Sequence, residues 1–101
     1  MGLFGSKKEM MRATPIDVFS QETLDTIKDV VDPKLENREY GKYRGMAEML
    51  LVAVRKADEE FNEKEWRSIL YAAGAMTKIE PSLAPMLQAG IDRFHALKKG
   101  K

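Results

Sequence analysis

The sequence predicts an all-α fold of one small domain, and three observations carry that prediction. Apolar residues recur at spacings of three and four along most of the chain, and no segment shows the period of two expected of a half-buried strand. Helix-capping residues stand where the periodic stretches begin. With 101 residues, 44% of them hydrophobic and 33% charged, the chain has the size of one domain and enough apolar surface to close one core. The expected architecture is a small four-helix bundle over residues 14–101, three long helices plus a short or broken N-terminal one. A flexible N-terminal arm over residues 1–13 precedes it.

In the arm, Leu3, Phe4, Met10 and Met11 are scattered among glycines, Ser6 and basic residues, and they define no helical face. Thr14 and Pro15 then open a helix, because proline's fixed φ and missing N–H suit the first helical position and Asp17 favours the positive end. Ser20 is a second cap, so the helix is expected over Pro15–Val31 with a break at Ser20. Leu24, Ile27 and Val31 share its face, and Asp32 and Pro33 stop it. A second helix is expected from Asn37 to Glu60, on a stripe of Tyr40, Tyr43, Ala47, Leu50, Val54, Ala57 and Phe61. Gly41 and Gly45 weaken its start, each by up to about 1 kcal/mol relative to alanine. That stripe also satisfies a coiled-coil pattern for about three heptads, but Ala47 and Ala57 make it a thin seam that packing within the bundle explains equally.

The strongest local code lies at the next junction. Asn62 is a cap, Glu65 completes a capping box, and Phe61 is placed to staple Trp66. The third helix is expected from Glu63 to Lys78, with Trp66, Ile69, Leu70, Ala73 and Met76 on one side and Pro81 ending it. Ser82 is read as the cap of the last helix, which tolerates Pro85 in its first turn and turns Leu83, Leu87, Ile91, Phe94 and Leu97 inward. Lys98, Lys99 and Lys101 suit its negative C-terminal end.

Two helices carry more apolar surface than their inward stripes need. Met49, Leu51 and Val52 lie off the main stripe of the second helix, and Tyr71, Ala72, Ala75 and Ile79 lie opposite Trp66 on the third. Ser68, Ala72 and Ala75 form a narrow strip against which another helix can pack closely. In a bundle this small each helix normally keeps a polar face in water, so either the outer helices wrap both sides or a partner does. The surplus favours a partner, with Met49, Leu51, Val52, Tyr71, Ala72, Ala75 and Ile79 as its interface. The expected function is a non-enzymatic protein–protein interaction module, either a small accessory or structural subunit of a larger assembly or a self-associating chain.

Chemistry is sparse. Seventeen Lys and Arg against sixteen Asp and Glu leave a net charge of +1, which excludes the global field of a dedicated polyanion binder. Without cysteine there is no disulfide, thiolate zinc site or thiol nucleophile, and a reducing setting is expected, either the cytoplasm or an intracellular or viral assembly. The longest apolar run, Met49 to Val54, is far short of the about 20 residues a membrane-spanning helix needs. His95 is the only histidine, and nucleotide-binding, metalloprotease and hydrolase motifs are missing, so neither an enzyme nor a cofactor is expected.

Three constellations remain. Asp58, Glu59, Glu60, Glu63 and Glu65 straddle the turn between the second and third helices, where clustered carboxylates could take Mg²⁺ or Ca²⁺. The spacing is not that of an EF-hand, and Glu63 and Glu65 serve the helix dipole and the cap, so no metal site is assigned. Residues 46–70, where an apolar helix runs into Ala57-Asp58 and a short turn before the acidic Glu63 and Glu65, resemble the central stretch of TerB-like helical domains. That resemblance implies an acidic helical domain binding a divalent metal. The glycine that usually follows the Ala-Asp pair is Glu59 here, so no ligand carries over.

The segment Asn37 to Arg44 interleaves basic and aromatic residues, and with Arg55 it offers a nucleic-acid alternative in which Arg38, Lys42, Arg44 and Arg55 meet phosphates. Against it, Tyr40 and Tyr43 share the core stripe. Finally, Met1 to Ser6 fits an N-myristoylation pattern, so membrane contact is expected only if Gly2 is lipidated, with Lys7 and Lys8 adding charge.

Overall fold

The computed structural model describes residues 11–100, and it is all-α apart from one two-residue strand pair. Thr14 and Asp17 form a reciprocal capping box: Thr14 Oγ1 accepts from the Asp17 N–H at 3.3 Å, and Asp17 accepts from the Thr14 N–H at 3.4 Å. They open the single turn α1 (Pro15–Val18). Phe19 is extended, and Ser20 then caps α2 (Gln21–Glu36) by accepting from the Thr23 N–H at 3.1 Å. The expected break at Ser20 is present.

The expected stop at Pro33 is not, because α2 runs through it for another turn. Proline in a helix removes one N–H and crowds the carbonyl four residues back. Here that residue is Asp29, which is exposed, so water can serve its carbonyl, while the added turn buries Leu35.

The second long helix is shorter than its pattern. The chain reverses at Arg38, which has a φ of 62° and is the one non-glycine residue with positive φ among those described. A 3₁₀ turn, Gly41–Tyr43, leads into α3 (Arg44–Arg55), so α3 starts at Arg44 instead of Asn37 and ends at Arg55 instead of Glu60. Gly41 is a poor helix former, and no side chain caps this start, so the apolar stripe alone does not extend the helix backward. At its far end the chain straightens to place β2 (Phe61–Asn62) antiparallel to β1 (Arg12–Ala13), pairing Arg12 with Asn62 and Ala13 with Phe61.

That pairing moves the start of the fold. Met11 and Ala13, expected in a loose arm, are 4% and 5% exposed, and the Trp66 indole N–H donates to the Ala13 carbonyl at 2.9 Å. Residues 1–10 of the expected arm lie outside the described residues.

The third helix is as the sequence predicts. Asn62 and Glu65 exchange two capping bonds of 2.8 Å at the start of α4 (Glu63–Ile79), and the Phe61 ring meets Trp66 edge-on at 6.1 Å between centroids. Ser82 is not the cap of the last helix. Its hydroxyl donates to Glu80 Oε2 at 2.8 Å, a 3₁₀ turn covers Pro81–Leu83, and α5 (Ala84–Lys99) begins with Pro85 in its first turn.

Consecutive long helices pack on one another, α2 on α3, α3 on α4 and α4 on α5, and α1 closes against α5. The core centres on Trp66, fully enclosed, with Phe19, Phe61 and Phe94 around it at 6.2, 6.1 and 5.3 Å. Each such ring pair adds about 0.5–1.5 kcal/mol beyond simple burial. The approach of Phe19 to α5 depends on Gly90, where a Cβ would stand 2.1 Å from the Phe19 ring.

Candidate interaction surface

α4 has two distinct faces. Trp66, Ile69, Ala73 and Met76 are buried, while Arg67, Tyr71, Gly74 and Lys78, spaced four, three and four apart, turn outward along one line. Across from that line α3 presents Gly45, Met46 and Met49, and Tyr43 stands just before it. Between the two helices runs an open trough made of two clefts of about 650 and 340 Å³ that share Met46 and Tyr71. Its walls are mostly apolar. Ile79 and Gln88 close one end, and Arg67 and Ser68 lie at the other.

Tyr71 is 69% exposed and Tyr43 41% exposed, and with Ile16 they are the most exposed large apolar side chains among the described residues. Gly45 and Gly74 face empty space, since a Cβ at either meets nothing within 4 Å. Glycine inside a helix weakens it by roughly 0.5–1 kcal/mol, and no contact among the described residues requires it at either position.

The predicted interface divides in three. Met49, Tyr71, Ala72, Ala75 and Ile79 do line the trough, with Ala72 almost wholly covered as part of its floor. Leu51 is 1% exposed and belongs to the core, because the chain's own helices enclose it. Val52 lies on the far side of α3, in a second trough between α2 and α3 lined also by Asp32, Leu35, Glu36, Arg44, Glu48 and Arg55. The sequence reading missed Tyr43, Met46, Arg67, Leu70, Gly74 and Lys78. Tyr43 was assigned to the core stripe but sits in the 3₁₀ turn, where the helical period no longer applies. The signal for Arg67, Gly74 and Lys78 is the line 67, 71, 74, 78 on a helix whose opposite face forms the core, whereas Met46 and Leu70 follow only from how α3 and α4 pack.

The nucleic-acid candidates do not converge on a basic patch. Arg44 pairs with Glu48 at 3.3 Å and Arg55 with Asp32 at 3.8 Å, and the trough they share holds three carboxylates against two guanidinium groups. Arg38 occupies the positive-φ turn and Lys42 is exposed. Tyr40 is buried and donates its hydroxyl to Glu80 Oε1 at 3.1 Å, so its ring is not available for stacking on a base.

The acidic turn is likewise dispersed. Glu63 pairs with Lys98 at 2.5 Å, Glu65 caps α4, and no three carboxylate or imidazole groups among the described residues converge as a ligand set. His95 is exposed on α5 beside Phe94. The Gly2 pattern lies outside the described residues, and among those described no helix is long and apolar enough to cross a membrane.

The shifted titrations fall on groups that tie segments together. Glu80 accepts from Lys34 at 2.5 Å, from Ser82 and from Tyr40, and the Lys34 bond is the main reason its carboxyl is held below the usual range. The same bond raises Lys34, and burial, followed by the bond to Glu80, raises Tyr40. Lys98 holds Glu63 low. No protein-family model, curated protein or solved structure matches the chain, so any functional reading rests on this geometry.

Proposed function

We propose that this chain is a non-enzymatic protein–protein interaction module that receives a helix of its partner in the α3–α4 trough, as a small accessory or structural subunit would in a reducing, intracellular setting. The observation that carries the reading is the exposure of Tyr71 above a continuous apolar trough. Contiguous apolar side chains rimmed by polar ones mark interaction surfaces more often than scattered single ones do. A small ligand is usually enclosed over most of its surface, whereas this trough is open along its length and suits an extended guest. Gly45 and Gly74 let a guest backbone come close, and an aromatic such as Tyr71 is a common anchor at interfaces. The nucleic-acid alternative has less support, because two of its four cations are paired with carboxylates.

Selection from a library of displayed helical peptides tests the proposal. Peptides enriched on the protein are expected to lose about tenfold or more in affinity with Tyr71→Glu or Ala75→Glu, and to be indifferent to Val52→Glu in the other trough. If no peptide is enriched, or if enriched peptides ignore Tyr71→Glu, the proposal is wrong.

A further inference from the structure

We infer that the helix entering the α3–α4 trough carries a carboxylate at each end of its apolar stripe, an inference that rests on the trough being a docking surface. The argument is one of charge. Among the described residues Arg67 and Lys78 are the only charged ones lining either cleft, and no carboxylate lines them. Both belong to α4, at positions 67 and 78. On an α-helix that interval is three turns, so the two cations share one face about 16 Å apart. Tyr71, Gly74 and Ala75 lie between them. Neither cation takes part in an ion pair among the described residues, where the pairs engage Lys34, Arg44, Arg55 and Lys98. The neighbouring α2–α3 trough, by contrast, has its guanidinium groups matched by Asp32 and Glu48. Glu63, one turn before Arg67 on α4, feels the Arg67 charge but is itself bonded to Lys98 and lies outside both clefts, so within the trough the two cations have no carboxylate beside them among the described residues.

The complementary ligand follows from the same repeat. A helix with carboxylates at positions i and i+11 and apolar residues at i+4 and i+7 places acid, apolar, apolar, acid along one line, matching Arg67, Tyr71, Gly74 and Lys78 in either chain direction. Arg67 can hold one carboxylate through two parallel N–H bonds, and Lys78 can hold the other as a point charge. A second copy of this chain fits less well. A two-fold contact along α4 in antiparallel sense sets Arg67 of one copy against Lys78 of the other, two like charges across a desolvated seam. An anionic bilayer attracts the cations too, but a flat surface does not reach the floor of a trough.

The test is a displayed library of helical peptides with apolar residues randomised at i+4 and i+7, and Glu, Gln or Lys offered at i and i+11. On the wild-type protein the binders are expected to carry Glu at both ends over Lys by about tenfold or more. That preference is expected to vanish on the Arg67→Gln/Lys78→Gln variant and to shrink in high salt. Binders that need Tyr71 but show no preference for Glu overturn the charge inference and leave the docking surface standing. An absence of Tyr71-dependent binders overturns both. A dimer in sedimentation, or binding to phosphatidylserine vesicles, that Tyr71→Glu abolishes puts a second copy or a bilayer in the trough and overturns the inference as well.

Discussion

At the scale of single residues, two glycines on helices of the same bundle have unlike environments, and their substitutions are expected to differ in sign. Gly90 is buried where a Cβ would stand 2.1 Å from the Phe19 ring, and Phe19 is held in turn against Trp66. Overpacking of a core typically costs about 1–3 kcal/mol, so Gly90→Ala is expected to lower stability by that amount despite the better helix propensity of alanine. Gly74 faces open space, so Gly74→Ala is expected to raise stability by roughly 0.5–1 kcal/mol. Urea unfolding of the two variants beside wild type checks both, and a stable Gly90→Ala would mean that α5 does not rest on Phe19. Gly74→Ala also probes the trough, because a methyl group there narrows the approach of a guest. It is expected to weaken selected helical peptides while it stabilises the free protein. Sequence periodicity could locate Gly74 on an outward face but could not say whether the space beyond it was filled, since that depends on how far apart α3 and α4 lie.

At the scale of elements, legibility followed how local the determining interactions are. The start of α4 was legible because Asn62, Glu65, Phe61 and Trp66 settle it among themselves within five positions, and each contact is present. Asn62→Ala is expected to destabilise by about 1 kcal/mol, and more if loss of the cap also loosens β2 from β1. Measurement of the unfolding free energy together with amide exchange at Arg12 and Ala13 separates the two effects. The elements that were misread are those decided at long range. β1 forms because Phe61–Asn62 offers a strand edge to a segment far earlier in the chain and Trp66 donates to the Ala13 carbonyl, neither of which a periodicity of apolar residues records. α2 passes Pro33 because burial of Leu35 and the grip of Glu80 on Lys34 hold its last turn, outweighing a local breaker. The start of α3 was misplaced for the opposite reason. The pattern from Tyr40 continues in register, but Tyr40 is buried from a turn, with its hydroxyl on Glu80, and is not a helical residue.

At the scale of the whole molecule, the apolar residues that the sequence places off the inward stripes are distributed among the core and two troughs. The bundle encloses Leu51 itself, Val52 lies in the α2–α3 trough, and Met49, Tyr71, Ala72, Ala75 and Ile79 line the α3–α4 trough. Among the polar ties between elements, one carboxylate joins the most segments. Glu80, at the end of α4, gathers Lys34 from α2, Tyr40 from the following turn and Ser82 from the approach to α5, so its protonation state bears on three segments at once. The signs of its effects can be worked out. Glu80 and Glu63 titrate below their usual 4.5 in the folded protein, so the stability they lend is full above that value and is lost as pH falls through their lowered pKa values. Lys34 titrates above its usual 10.5, so its contribution is full below that value and is lost as pH rises through the raised one. Tyr40 is raised above 10.0, and because its charged form is disfavoured in the fold, stability also falls as pH climbs past that point. The urea midpoint is therefore expected to be flat through neutrality and to decline on both sides. Glu80→Gln keeps the shape of the side chain but removes the charge that shifts Lys34 and contributes to the shift of Tyr40. Because Gln still accepts hydrogen bonds and only their charge assistance is lost, it is expected to lower stability at neutral pH by about 1 kcal/mol, the difference between charged and neutral hydrogen bonds, and to flatten both declines. The acid decline keeps the part that Glu63 and Lys98 supply, so Glu63→Gln in addition should remove most of what remains there while leaving the alkaline side unchanged. Curves for Glu80→Gln that run parallel to wild type at every pH would show that Glu80 is not the tie between α2 and the end of α4.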